Sequence, residues 1–173
     1  MDVIGVAGFD GVGKTTLRHG LVTQFRDRFP GLQIDGCSIS DAIGEYLVSE
    51  LGYNPSILDR PLTDDARSLF ITEGLKVLEA HGNTYWVERT IEKGYQDCVD
   101  LLIMDGVRFP HEVSYCDYLI YIDRGDSGDG LGLAETSYGI HQDYLKANAD
   151  MVLDRFPNLD RKIIRKILEG ITV

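Results

Sequence analysis

Residues 3–15, VIGVAGFDGVGKT, decide the fold class of this chain. The first five are apolar, as in a short buried strand, and Leu17, Leu21 and Phe25 follow the stretch at the spacing of one helix face. The glycines between these elements allow backbone torsions that other residues avoid, so consecutive N–H groups can turn inward toward an anion. The stretch therefore predicts a strand, a tight anion-binding loop and a helix whose positive dipole end faces the loop.

From Gly8 to Thr15 the loop has the form G-x-x-x-x-G-K-T, with every fixed position filled. In this pattern Lys14 supplies a charge for the β- and γ-phosphates, and the hydroxyl of Thr15 is placed to bind Mg²⁺. The alternative is a glycine-rich turn that matches by chance, but both flanks also fit a phosphate loop. We therefore expect ATP and Mg²⁺ as cofactors. The residues predicted to hold the nucleotide are Gly8, Asp10, Gly11, Val12, Gly13, Lys14, Thr15 and Thr16.

Length, composition and charge narrow the class of protein. A chain of 173 residues suits one domain, and its apolar runs are too short for a membrane span or a secretory signal. The net charge of −11 argues against extended nucleic-acid binding, which relies on clustered lysine and arginine. A small anionic ligand in a local cationic pocket remains compatible with this charge. We expect a cytoplasmic protein that does not bind membranes.

Cysteine and histidine spacing gives no sign of a metal centre. Cys37, Cys98 and Cys116 are far apart and form no C-x-x-C pair, which is typical of reduced thiols in a cytosolic protein. The four histidines are scattered. We expect no structural zinc.

Short apolar segments alternate with helical patterns along the chain. This alternation predicts a three-layer α/β fold, in which a central parallel sheet of about five strands carries helices on both faces. The expected strands are residues 3–7, 32–37, 101–104, 118–122 and 151–153. We expect a single domain with a core of residues 1–38 and 99–173, a helical acceptor-binding insertion at about 39–98 and a possible lid at about 124–148.

The run from Leu101 to Met104 is an apolar strand that ends in a carboxylate, Asp105. Ligand sites in parallel sheets lie at the carboxyl ends of the strands, so Asp105 should share one rim with residues 8–15. A carboxylate there can hold Mg²⁺ beside the phosphate loop, although the start of a simple turn is the alternative. Arg108 follows closely and is our first candidate for stabilising the charge of a transferring phosphoryl group.

The sequence offers further arginine and aromatic candidates for the site at this rim. Arg124 follows the fourth strand and is a second catalytic candidate, while Arg67 and Arg89 in the insertion are expected to bind the substrate; each is alternatively a solvated surface charge. Phe70 and Trp86 are candidates for stacking on a nucleobase, with packing in the core as the alternative. Of these two aromatics, we favour core packing for Phe70 and ligand contact for Trp86.

Together these segments resemble the P-loop nucleotide kinases of the adenylate-kinase-like superfamily, and most closely the phage-type deoxynucleoside monophosphate kinases. The segments that carry the resemblance are residues 3–16, RSLFITEG at 67–74 with Trp86-Val87, VRFPHE at 107–112 and ADMVLD at 149–154. The resemblance implies Mg²⁺-dependent transfer of the ATP γ-phosphate to a (deoxy)nucleoside monophosphate, in deoxynucleotide metabolism. It also implies a mobile helical substrate-binding region, a lid and a possible homodimer.

The residues leave two other functions open. A kinase that phosphorylates a hydroxyl of a small molecule or modified nucleobase would profit from a positioned carboxylate, and Asp10, Asp35 or Asp41 can serve. A monophosphate acceptor needs no such base, because its second pKa near 6 leaves its oxygen largely ionised at neutral pH. A nucleotide-dependent switch is less favoured, since no Asn-Lys-x-Asp element occurs.

Overall fold

The computed structural model describes residues 1–9, 11–60, 62–123, 141–154 and 161–170. In these ranges the strands pair in parallel into one sheet with the order β2-β3-β1-β4-β5. They are β1 (Asp2–Gly8), β2 (Ile34–Ser38), β3 (Leu101–Val107), β4 (Tyr118–Asp123) and β5 (Met151–Asp154). The predicted parallel sheet of about five strands is confirmed.

Helices cover both faces of this sheet, which confirms the predicted three-layer α/β fold. They are α1 (Lys14–Arg28), α2 (Ile39–Ser49), α3 (Asp64–His81), α4 (Tyr85–Gln96), α5 (Pro110–Val113), α6 (Gln142–Ala147) and α7 (Arg161–Gly170), with a 3₁₀ turn at Pro55–Leu58. Alternate residues of β1 belong to two hydrophobic cores. Ile4 lies in the core shared with α1 and α7, and Val3 lies in the core shared with α2, α3, α4 and α6. None of the helices in the described ranges combines the length and apolar character that crossing a bilayer requires.

Strand β3 extends two residues beyond the predicted carboxylate end. Its pairing with β1 shifts after Val6, so that Val6 faces Asp105 while Ala7 faces Val107. The skipped residue is Gly106, whose φ of 89° is open to glycine at little cost. The expectation that the strand ends at Asp105 is therefore wrong, and Asp105 lies inside the strand with only 2% of its surface exposed.

The region of the predicted insertion is helical, and its helices begin at defined caps. The hydroxyl of Ser38 accepts a hydrogen bond from the N–H of Ser40, and the carboxylate of Asp41 accepts one from the N–H of Ser38. At α3 the hydroxyl of Thr63 accepts from the N–H of Ala66. These caps fix where α2 and α3 start, and thus which of their residues face the sheet edge. Most of the predicted lid lies outside the described residues.

Candidate functional site

The loop from Gly8 to Thr15, called the phosphate loop after its predicted role, has the backbone geometry that its glycines predict. Gly8, Gly11 and Gly13 have φ values of 133°, 78° and 98°, which L side chains rarely adopt. A Cβ at Gly8 would also lie 2.5 Å from the carbonyl oxygen of Ile122, so this position requires glycine. Lys14 begins α1, and its ammonium donates to the carbonyls of Gly8 and Phe9 at 2.9 and 2.8 Å. Asp10 lies outside the described residues.

This loop forms one wall of a cavity of about 480 Å³. The wall includes Gly11, Gly13, Lys14, Thr15 and Thr16, whereas Val12 packs against the core on the α1 side. The other wall comes from α2, the loop before α3, α3 and the segment around Gly106. It contributes Ser40, Ile43, Arg60, Arg67, Phe70 and Arg108. Two of the predicted substrate residues and the first arginine candidate thus border the same cavity as the phosphate loop.

Asp105 also borders the cavity, but a buried guanidinium lies behind it. The Nε of Arg18 lies 3.5 Å from Asp105 Oδ2, and its Nη1 lies 3.6 Å from Asp41 Oδ2. The other oxygen of Asp41 lies 3.3 Å from the Nη2 of Arg60, itself a residue of the cavity wall. A chain of charges, Asp105, Arg18, Asp41 and Arg60, therefore joins β3, α1, α2 and the loop before α3.

Sequence reasoning missed Arg18. A signal was available, because Arg18 lies one helical turn after Lys14 and thus on the same face of α1. We had assigned the buried face of this helix to its apolar stripe alone. With only 7% of its surface exposed, Arg18 shows that part of the buried surface near the loop is charged.

The oxygen donors around Asp105 fit Mg²⁺. Asp105 Oδ2 is buried and, within the described structure, has the Arg18 ion pair but no hydrogen bond, while the Asp105 and Thr15 residues border the same cavity. No group of three or more histidine, cysteine, aspartate or glutamate side chains in the described ranges is arranged to hold a metal. A hydroxyl and a carboxylate beside one cavity suit Mg²⁺, which proteins often hold through one or two side chains together with substrate phosphates.

The segment after β3 is held by a buried carboxylate that we had not selected from the sequence. Glu112 Oε2 accepts hydrogen bonds from the N–H groups of Arg108 at 2.6 Å and Phe109 at 3.0 Å. Burial raises the pKa of Glu112 to about 7, against the opposing effect of these two hydrogen bonds and of the Arg108 guanidinium. The motif R-F-P-H-E contained the signal, since Pro at the first helical position and Glu at the third mark a helix start.

Neither Trp86 nor Arg89 borders the 480 Å³ cavity. Trp86 is 3% exposed, and its indole N–H donates to the carbonyl of Gly74 at 3.0 Å. It borders an adjoining apolar space of about 50 Å³, which shares Phe70 and Arg108 with the cavity. Arg89 donates to the hydroxyl of Tyr85 at 3.1 Å, and its guanidinium lies over the ring of Tyr46.

Phe70, for which we favoured core packing, is 5% exposed but borders the cavity. Arg124 lies outside the described residues.

Of the carboxylates considered as general bases, neither Asp35 nor Asp41 borders the cavity in the described structure. Asp35 lies 3.2 Å from Arg26 at an exposed site, and Asp41 caps α2. Asp105 is the one carboxylate among the described residues that border it.

No family model matches the chain, and no curated protein matches it. Among solved structures, it is similar to one titled as a possible uridine kinase from Bacillus stearothermophilus, with 15% sequence identity, a TM-score of 0.46 and 88% of each chain covered. It is also similar to the crystal structure of APE1195, with 12% identity, a TM-score of 0.36 and coverage of 98% of this chain and 92% of that one. Likeness at this level carries no functional argument, which rests instead on the cavity and its charges.

Proposed function

We propose that this protein transfers the γ-phosphate of ATP to a (deoxy)nucleoside monophosphate and so forms the diphosphate. The observation that carries the proposal is a single cavity with the phosphate loop on one wall and Arg60, Arg67 and Arg108 on the other. One wall is suited to the phosphates of the donor. The other has room and positive charge for a second anionic ligand.

The charge of the cavity contrasts with the charge of the chain. The described residues that border the cavity include four cationic side chains, Lys14, Arg60, Arg67 and Arg108, and one carboxylate, Asp105. The whole chain has a net charge of −11. A local excess of positive charge in an acidic protein favours anions at this place and disfavours them elsewhere. This supports an acceptor that carries its own phosphate.

The carboxylates support the same choice of acceptor. A hydroxyl acceptor profits from a carboxylate that takes its proton, whereas a phosphomonoester presents an ionised oxygen. Asp41 is engaged by Arg60 and by the N-terminus of α2, and Asp35 contacts Arg26 outside the cavity. Asp105 is the one carboxylate among the described residues that border the cavity, and it is paired with Arg18. This pairing disfavours it as the base that would take a proton from a hydroxyl acceptor.

In this proposal each wall has its own role. Lys14 and Arg108 neutralise charge on the transferring group, and Arg60 and Arg67 hold the acceptor phosphate. Thr15 and Asp105 hold Mg²⁺, which when bound neutralises the donor phosphates and orients them. Phe70, beside Arg67 on α3, presents an apolar surface for the base of the acceptor. Transfer then depends mainly on positioning and charge.

Acceptor profiling with the purified protein tests the proposal. ATP and Mg²⁺ are supplied with each (deoxy)nucleoside monophosphate, with nucleosides and with other alcohols, and product is measured directly. We expect turnover with at least one monophosphate. Turnover of an alcohol with none of the monophosphates would establish the hydroxyl kinase instead. Tight ATP binding without transfer to any acceptor would support the switch or binding module.

A further inference from the structure

Glu112 is a buried carboxylate whose partners belong to the chain segment that carries Arg108. Only 4% of its surface is exposed. One carboxylate oxygen, Oε2, accepts from two successive backbone N–H groups, those of Arg108 and Phe109. Both Glu112 and Arg108 border the apolar space of about 50 Å³, and Arg108 also borders the 480 Å³ cavity. Glu112 thus borders the apolar space beside Arg108 but does not border the 480 Å³ cavity.

We propose that Glu112 is a positioning residue, whose carboxylate fixes the backbone from which the Arg108 guanidinium reaches the reacting phosphates. The inference rests on the proposed phosphoryl transfer, in which Arg108 stabilises charge. Glu112 itself touches neither substrate. It acts by holding the peptide groups on both sides of the Arg108 Cα, since it binds the N–H of Arg108 and that of the next residue.

The other end of the same segment is also held. Gly106 has a φ of 89°, and a Cβ there would lie 3.3 Å from the Ser38 hydroxyl, so the backbone passes close to the start of α2. The segment from Gly106 to Phe109 is held before Arg108 by the pairing of Val107 with Ala7 of β1, and after it by the Glu112 carboxylate. A long side chain directs its charge with precision only when its own backbone is fixed, because an angular error at the Cα displaces the distant charge in proportion to the length of the side chain.

Helix capping alone is an insufficient reason for a buried carboxylate here. Helix α5 has only four residues, Pro110–Val113, and a group ordinarily charged near neutral pH is costly to bury. This cost appears as the raised pKa of Glu112, near 7. Arg108 is the charged group that acts on it, and the nearby Cys116 thiol donates to the Glu112 backbone carbonyl rather than to its carboxylate.

A double-mutant cycle tests the coupling between Glu112 and Arg108. Glu112→Ala removes the acceptor, whereas Glu112→Gln keeps an oxygen for both N–H groups. We expect Glu112→Ala to lower kcat by roughly 10- to 100-fold at a nearly constant KM for ATP, the loss typical of a misplaced catalytic group. Glu112→Gln should remain within about 5-fold of wild type because it restores the hydrogen bonds.

In the Arg108→Ala background, Glu112→Ala should lower kcat by less than about 2-fold, since there is no guanidinium left to position. An equal loss in both backgrounds would show that Glu112 serves the fold rather than Arg108. Full kcat in Glu112→Ala would also overturn the inference. If that variant fails to fold, Glu112→Asp replaces it in the cycle, because its carboxylate is withdrawn by one methylene.

Amide hydrogen exchange provides a readout that needs no turnover. In wild type the N–H groups of Arg108 and Phe109 should be protected, and in folded Glu112→Ala their exchange should accelerate by about 10-fold or more while amides of α1 keep their rates. Unchanged exchange at Arg108 and Phe109 would refute the positioning contact. Absence of phosphoryl transfer in wild type would instead defeat the proposed function, and the exchange result would still decide whether Glu112 holds this segment.

Discussion

The two walls of the cavity are built in different ways. The phosphate-loop wall comes from one continuous stretch, residues 11–16, whereas the opposite wall is assembled from α2, the loop before α3, α3 and the segment after β3. On the first wall, the backbone torsions at Gly8, Gly11 and Gly13 shape the loop. On the second, each arginine depends on a different element being in place. A local motif can therefore be recognised in a sequence, while an assembled wall depends on the packing of the whole chain.

The largest effect is expected on the phosphate-loop wall. Lys14→Ala removes the ammonium that lies over the loop and should lower kcat by about 10³-fold or more, as for the loss of a main electrostatic contact in a transition state. Steady-state kinetics with ATP and the best acceptor would measure this. The thermal midpoint should stay close to wild type, because the hydrogen bonds described for the ammonium are to carbonyls of its own loop. Retained activity would show that the donor site lies elsewhere.

A large effect on stability is expected for Arg18, whose buried guanidinium links the two walls. Arg18→Met leaves Asp105 and Asp41 without the guanidinium that lies between them, and should lower the free energy of unfolding by about 3 kcal/mol. The matched control is Arg26→Met, whose contact with Asp35 is exposed and should contribute less than about 1 kcal/mol. Urea denaturation measures both. Equal losses in the two variants would mean that the buried chain of charges does not join the walls.

The arginines of the second wall give the next comparison. Arg108→Ala should lower kcat by about 10²-fold, because one preorganised charge is lost from the reaction site. Arg89→Ala should stay within about 3-fold, since Arg89 contacts Tyr85 and Tyr46 instead of bordering the cavity. Kinetics of both variants at saturating ATP would decide. A larger loss for Arg89 would reverse our assignment of the acceptor wall.

The smallest effect is expected from the aromatic residue of that wall. Phe70→Leu keeps an apolar side chain but removes a ring, and should raise the KM for the acceptor by about 10-fold without changing the KM for ATP, if the ring stacks on the base. Trp86→Phe should instead lower the thermal midpoint and leave the acceptor KM unchanged, because the indole bonds Gly74 in the core. The opposite pair of results would restore the original preference for Trp86 as the ligand contact.

These residues also show how far the sequence could be interpreted. The parallel sheet, the helices on both its faces and the loop from Gly8 to Thr15 were predicted, because each follows from local periodicity or from a continuous motif. The predicted end of β3 was wrong, because the register shift at Gly106 depends on the pairing of β3 with β1. Arg60 was not selected at all. No spacing rule links a loop arginine at 60 to a cavity that the chain completes more than forty residues later.

Sequence alone determined the phosphate-loop wall, proposed here as the donor side, because the strand, the glycines, Lys14 and Thr15 are adjacent and their torsions are local. Tertiary structure decided the rest. It placed Phe70 in the cavity wall and Trp86 in the core, and it paired Asp105 with Arg18. It also brought the Glu112 carboxylate to the backbone N–H of Arg108. The physical reason is that burial and charge pairing depend on which elements pack together, and that information is distributed over the whole chain rather than contained in any one segment.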